Sequence, residues 1–190
     1  SRGAGEIGLD PGLCPRATVV IMAKPLHPSP PVLSRDGVSL TVANTRRNLP
    51  EALSPQIKST NFLNNILAKR ESIAAGTFDS LVLNWKDELT ECTDSNLFFI
   101  SGKTLHTPAL DCGILDGITR TIVMTLAQEE GVPVREGHYH LADLQRAEEC
   151  FLTNTSMEIM PVNRVDSFAI GDGRPGSLTR RLQTRFADSR

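Results

Sequence analysis

The chain has 190 residues, a formal net charge of −2, 39% hydrophobic and 22% charged residues. That length supports one substantial domain plus part of another, and the composition is that of an ordinary soluble globular protein. No basic surplus is available to neutralise phosphates along a groove, which excludes nucleic acid as the main partner, and no apolar run reaches membrane-spanning length.

The chain opens Ser1-Arg2-Gly3 without Met and runs straight into a glycine-rich turn, Gly3 to Gly8. This reads as a cut inside a larger protein. Residues 17–23 (ATVVIMA) are β-branched and apolar and are expected to form a buried strand. Four prolines follow between Pro25 and Pro31, each fixing φ and removing a donor, so residues 25–31 are expected to be an extended linker at a domain boundary. Residues 37–43 alternate like a strand, and Arg46-Arg47 reads as a solvated loop.

Residues 59–75 have helical spacing, with Phe62, Leu63, Ile66, Leu67 and Ile73 near one face and Gly76 as the stop. Strands are expected at 78–84, 88–91, 96–100 and 103–107, with Trp85 partly exposed beside a turn. A second amphipathic helix spans 117–130 and ends at Gly131. A short strand at 132–135, a short helix at 141–147, strands at 150–153 and 158–165, a hairpin at Asp166-Ser167 and a helix over 175–187 complete the chain. Strands and helices come in clusters without regular βαβ alternation, which predicts an α+β domain around a mixed sheet.

Cys14, Cys92, Cys112 and Cys150 lack CxxC spacing, and no signal-peptide pattern precedes them. Reduced thiols in a cytoplasmic protein are expected. His138 and His140 lie two apart with no further ligand cluster in the sequence, so they read as loop histidines and no metal site is expected.

Lys58 follows Ile57 and precedes the first helix. Most lysines are solvated, but one at a strand-to-helix junction can project into a cavity, where desolvation would free its amine as a nucleophile. Five segments add to this in order. They are Ile57-Lys58-Ser59-Thr60-Asn61-Phe62-Leu63, the stretch from Leu89-Thr90-Glu91 to Asn96-Leu97-Phe98, Leu115-Asp116-Gly117-Ile118-Thr119-Arg120, the stretch from Phe151 to Val162, and Gly171-Asp172-Gly173-Arg174-Pro175-Gly176. Together they resemble the ordered motif blocks of the fold-type IV pyridoxal-phosphate (PLP) enzymes, the class IV aminotransferases. Five such blocks in order are far more specific than any one.

The resemblance implies a residue-by-residue site. Lys58 would hold PLP covalently and act as the catalytic base and acid. Glu91 would face the pyridine nitrogen, where a carboxylate favours the protonated ring. Ile118 and Thr119, at a helix N-terminus, would receive the phosphate through free N–H groups and the helix dipole, joined by Thr155. Thr155 and Ser156 would anchor the substrate carboxylate. Phe62 departs from the tyrosine of many relatives and cannot bond the cofactor's phenolic oxygen, and Asn154 stands where relatives often carry Ser or Gly.

The resemblance also implies that residues 1–24 are a remnant of an N-terminal α/β domain, 25–31 the interdomain linker and 32–190 the C-terminal PLP-binding domain. Gly5-Glu6-Ile7-Gly8-Leu9 resembles the branched-chain enzymes, whereas D-amino acid enzymes carry a basic cluster about there. The expected reaction is transamination between a branched-chain L-amino acid and a 2-oxo acid such as 2-oxoglutarate, in a homodimeric enzyme. D-amino acid transamination, 4-amino-4-deoxychorismate lyase chemistry and a non-catalytic truncated relative are the alternatives. The missing domain would normally supply an arginine to the phosphate, so these residues alone are expected to be weak or inactive.

Overall fold

The computed structural model describes residues 2–189. In chain order its elements are α1 (Pro31–Asp36), β1 (Val38–Val42), α2 (Leu63–Ala75), β2 (Asp79–Leu83), β3 (Leu89–Cys92), β4 (Asn96–Ser101), β5 (Thr104–Pro108), α3 (Ile118–Glu129), β6 (Val134–Gly137), α4 (Leu141–Gln145), β7 (Glu149–Asn154), β8 (Glu158–Val165), β9 (Phe168–Ala169) and α5 (Ser177–Asp188). Strands pair in the order β3-β2-β1-β8-β7-β4, and β4 pairs back with β3, so six strands close into a barrel. β1 is parallel to β2 and β8, and the other barrel pairs are antiparallel. β5 and β6 extend the sheet from β4, and β9 pairs with β8. This is the expected α+β arrangement on a mixed sheet.

Period-two alternation sorts the strand side chains. Leu40, Leu81, Leu97, Phe99, Leu152 and Met160 belong to one buried cluster drawn from all six barrel strands except β3, which adds Leu89 and Cys92. A cluster shared by every strand of a closed ring fills its interior. The alternate residues Phe98, Ile100, Phe151 and Ile159 face outward and are covered by Val123 and Leu126 of α3 and Leu182 and Phe186 of α5. Stacking of Phe98 on Phe151, with ring centroids 5.1 Å apart, ties β4 to β7 beneath those helices.

On β3 the alternation breaks. Leu81 pairs with Cys92 and Leu83 with Leu89, so two steps on β2 span three on β3. This bulge lets Leu89 and Cys92 both enter the core while the intervening Glu91 turns out of it.

Residues 17–23 form no strand, and Val19, Val20, Ile21 and Met22 are exposed. β-propensity is realised only against a paired strand, and among the described residues no strand pairs with this run. Residues 25–30 have no regular structure, and Pro31 opens α1 at the helical position proline tolerates best.

Helix α2 begins at Leu63, four residues later than expected. The Asn61 N–H is held by the Ser59 hydroxyl at 3.2 Å, a local turn that competes with helix. Gly76 ends it in the left-handed region, φ 67°. Its expected core face is also reversed: Leu63, Ile66 and Ile73 are exposed, whereas Ala68 and Ser72 are buried. Polar contacts set this orientation. The Glu71 carboxylate accepts the N–H groups of Asn44 (2.6 Å) and Thr45 (3.0 Å), and the Ser80 hydroxyl donates to the Ala68 carbonyl at 2.6 Å. Ala68 also packs with Ala43 and Val82 on the outside of β1 and β2.

Candidate active site

A cleft of about 280 Å³ lies outside the barrel, bounded by the loop after β1, the ends of β3, β4 and β7, and the N-terminus of α3. Its lining includes Lys58, Glu91, Ile118, Thr119 and Thr155. These sequence-derived candidates therefore converge from four separate segments. Ser156 is not in the lining, and its N–H donates to the Asn154 side chain at 3.0 Å. Asn154 Oδ1 also accepts the Met157 N–H at 2.8 Å, so the Asn fixes the β7–β8 turn that presents Thr155.

Lys58 sits in the irregular loop leading to α2, not at a strand-to-helix junction, and is exposed rather than desolvated. Its Nζ lies 5.3 Å from the centroid of the Phe62 ring, which also lines the cleft. Phe62 thus supplies an aromatic face beside the amine in place of a hydroxyl.

Glu91 is the most constrained group. It is 5% exposed. Oε1 pairs with Arg47 Nη2 at 2.5 Å, and Oε2 accepts the Leu115 N–H and Asn96 Nδ2, each at 3.0 Å. Burial pushes its carboxyl up to about 7, against the opposing pull of the Arg47 guanidinium and the Leu115 N–H.

Arg47 corrects the solvated-loop expectation. Arg46 does lie at the surface with Asp87, but Arg47 is buried. Besides Glu91 it donates to the Gly113 carbonyl (3.0 Å) and to Asn65 Oδ1 (3.2 Å). Asn65 Nδ2 in turn donates to the Thr93 carbonyl at 2.6 Å. Arg47 and Asn65 were missed because nothing in a polar run marks which arginine finds a buried carboxylate. Asn96, fixed five residues after Glu91 in its motif block, could have been found from that spacing.

The α3 N-terminus rests on β4 through Asn96, whose Nδ2 donates to the Leu115 carbonyl at 2.9 Å. Gly117 is required at this approach, since a Cβ there would meet Asn96 Oδ1 at 2.1 Å. No side chain caps α3, so its first N–H groups remain available where Gly117, Ile118 and Thr119 line the cleft. Thr119 is buried and Ile118 is 78% exposed, so Ile118 offers backbone and Thr119 both backbone and hydroxyl. The glycine-rich block after β9 leads instead into α5, which Glu149 caps by receiving the Leu178 and Thr179 N–H groups at 3.0 and 2.7 Å.

Two buried hydroxyls among the lining residues, Ser95 Oγ and Thr153 Oγ1, have no hydrogen-bond partner among the described residues. Such orphans are expected where a polar ligand completes the site. A helix N-terminus for a phosphate, a buried carboxylate for a ring nitrogen, an amine and unfilled hydroxyls fit the donor and acceptor needs of PLP.

The chain belongs to the class IV aminotransferase family, whose model matches residues 1–165. Within that class it resembles the branched-chain aminotransferases over its whole length, and it also has D-alanine aminotransferase and aminodeoxychorismate lyase relatives. A Methanocaldococcus jannaschii protein provisionally named branched-chain-amino-acid aminotransferase is 38% identical over all 190 residues, which cover 65% of that protein. The Listeria monocytogenes D-alanine aminotransferase is 39% identical over 132 residues, 70% of this chain and 45% of its own length. The Bacillus subtilis aminodeoxychorismate lyase is 33% identical over 186 residues, 98% of this chain and 62% of its own. The Escherichia coli branched-chain amino acid aminotransferase superposes with a TM-score of 0.80 at 31% identity, over 82% of this chain and 52% of that one. The T.th. branched-chain amino acid aminotransferase, solved with pyridoxamine 5′-phosphate, gives 0.79 at 29% identity, over 82% of this chain and 51% of that one. The chain therefore spans about half to two-thirds of the length of these proteins. Among the described residues no helix is long and apolar enough to cross a membrane.

Proposed function

We propose that this chain carries the cofactor-anchoring part of a PLP-dependent aminotransferase acting on branched-chain L-amino acids and a 2-oxo acid such as 2-oxoglutarate. The observation that carries this reading is the single cleft collecting Lys58, Glu91, Ile118, Thr119 and Thr155. Residues 1–24 are assigned to the N-terminal domain and 25–31 to the linker, in keeping with the exposed apolar side chains of residues 19–22. The complete protein is proposed to be a cytoplasmic homodimer, with this chain alone weak or inactive.

When bound, PLP supplies an electron sink for the pair left at the substrate Cα. Lys58 holds the cofactor through its amine. The same amine, when free, would serve as the base and acid that moves a proton between the substrate Cα and the cofactor C4′. Glu91 holds a proton at the pyridine nitrogen, and Arg47, Asn96 and the Leu115 N–H hold Glu91 in place. The Ile118 and Thr119 N–H groups, the Thr119 hydroxyl and Thr155 receive the phosphate. With the Ser156 N–H engaged by Asn154, the substrate carboxylate falls to Thr155. Of the described residues lining the cleft Arg47 is the one arginine, and it is committed to Glu91, Asn65 and Gly113. The guanidinium that the family resemblance implies for the phosphate would come from outside this lining.

The test is borohydride reduction of the complete protein with PLP, followed by peptide mass analysis. A pyridoxyl group on Lys58, lost in Lys58→Ala, is expected; a reduced protein without it overturns the assignment. Release of 2-oxo acid from L-leucine or L-valine, compared with D-alanine turnover and with pyruvate release from aminodeoxychorismate, separates the branched-chain reading from the two other activities named among the relatives.

A further inference from the structure

We propose that Glu88, Cys112 and His138 form a binding site for one divalent cation of the zinc class, separate from the cleft. The two histidines at 138 and 140 had no ligand companions in the sequence, but the fold supplies them to His138. Glu88 precedes β3, Cys112 ends the short turn at Leu110–Cys112, and His138 follows β6. One ligand atom from each lies within 4.8 Å of the others, and none of the three lines the cleft.

The spacing is that of a coordination shell. Cys112 Sγ is 3.5 Å from His138 Nδ1, and His138 Nδ1 is 3.1 Å from Glu88 Oε1. Tetrahedral zinc, with Zn–S of about 2.3 Å and Zn–N or Zn–O of about 2.0–2.2 Å, places S and N roughly 3.6 Å apart and N and O roughly 3.3 Å apart. The two distances from His138 Nδ1 are close to those values, and the third donor pair lies within 4.8 Å.

The surroundings orient the donors. Asn84 Nδ2 donates to Glu88 Oε2 at 2.7 Å, which leaves Oε1 toward the histidine. His138 Nε2 is 3.3 Å from the Asp111 carboxylate, on the ring edge away from the cluster. A carboxylate on the far nitrogen of a ligating histidine fixes the tautomer and strengthens the metal-facing nitrogen. With the proton on Nε2, the tautomer the Asp111 carboxylate favours, the Nδ1 lone pair is free to ligate an ion shared with Glu88 Oε1, 3.1 Å away. Sulfur and imidazole donors favour zinc over magnesium or calcium. The His138 side chain is 45% exposed, so ion and solvent can reach the open fourth position.

On coordination the Cys112 thiol proton passes to solvent. The ion would join the β2–β3 turn, the segment leading into α3 and the exit of β6. Cys112 adjoins Gly113, whose carbonyl anchors Arg47, so the site braces the frame around Glu91.

The complete protein, freed of metal by chelation and dialysis, is titrated with zinc chloride by calorimetry and with cobalt(II) by absorption. One ion per chain and a thiolate-to-cobalt charge-transfer band are expected, both lost in Cys112→Ser and in His138→Gln. Glu88→Gln should weaken zinc at least tenfold. Zinc should raise the unfolding midpoint of the native protein but not of His138→Gln, a substitution at an exposed side chain that leaves the core intact. No stoichiometric zinc in the folded native protein, or binding that survives both Cys112→Ser and His138→Gln, overturns the proposal.

Discussion

Arg47 Nη2 and Glu91 Oε1 stand 2.5 Å apart, with both side chains only 7% exposed. The loop after β1 is thereby fixed to β3 across the floor of the cleft. Removing the guanidinium leaves a buried carboxylate unpaired, so Arg47→Ala should cost about 3–5 kcal/mol in unfolding free energy. Arg47→Lys keeps a charge but cannot reproduce three divergent contacts, and should fall between. Urea denaturation of the chain measures both; a loss of under about 1 kcal/mol for Arg47→Ala contradicts the expectation.

Because burial raises the Glu91 carboxyl to about 7, the folded chain holds a proton there that the unfolded chain has released. Its contribution to stability is full below the ordinary carboxylate value of 4.5 and is lost as pH rises to about 7. The difference in unfolding free energy between native and Glu91→Gln chains should fall across that window by at most about 3 kcal/mol and be flat above it. A pH-independent difference is the contrary result.

Gly117→Ala drives a Cβ into Asn96 Oδ1 at 2.1 Å, and the amide is already held by Glu91 and the Leu115 carbonyl. The α3 N-terminus has to move. A loss of about 1–3 kcal/mol in stability is expected, as for other overpacked sites. PLP binding, followed by fluorescence, should weaken alongside it if the helix end receives the phosphate.

Thr119→Val preserves shape but removes one hydroxyl beside the proposed phosphate position. A hydrogen bond to a charged group contributes about 1.5–3 kcal/mol, so the PLP dissociation constant should rise about ten- to a hundredfold. Thr119→Ser should retain most of the affinity, and equal losses in the two variants would argue against the hydroxyl contact.

The reversed face of α2 makes a contrasting pair. Ile73 is 70% exposed and Ala68 fully buried. Ile73→Gln should change the stability of the chain by no more than about 0.5 kcal/mol, whereas Ala68→Leu should cost about 1–3 kcal/mol. Thermal unfolding of both variants checks the orientation of the helix.

Much of the architecture was legible because strands such as Val38–Val42 begin with an alternation that the sequence shows in full view. The bulge on β3 was not, since an extra residue in one strand is defined only against its partner. Helix α2 misled for a related reason: its apolar stripe is genuine, but Glu71 and Ser80 dock the opposite side. The run at 17–23 likewise has strand composition without a paired strand among the described residues. For the site, ordered motif blocks pointed to Lys58, Glu91, Ile118, Thr119 and Thr155, and the fold brings all five to one cleft. Arg47 and Asn65 lay outside any block. Ser156 lay inside one, yet its N–H is used by the turn itself.

The barrel closes between β3 and β4 through a single registered pair, Glu91 and Asn96, and both residues line the cleft. A seam one pair wide is where a closed sheet parts most readily by local opening. A molecule seated across it draws on the same carboxylate and amide that hold it shut. Amide protons near the Cys92–Asn96 turn should therefore exchange with solvent faster than those at the Phe98–Phe151 seam, and slow when the cleft is filled. The weakest join in the wall is also its latch.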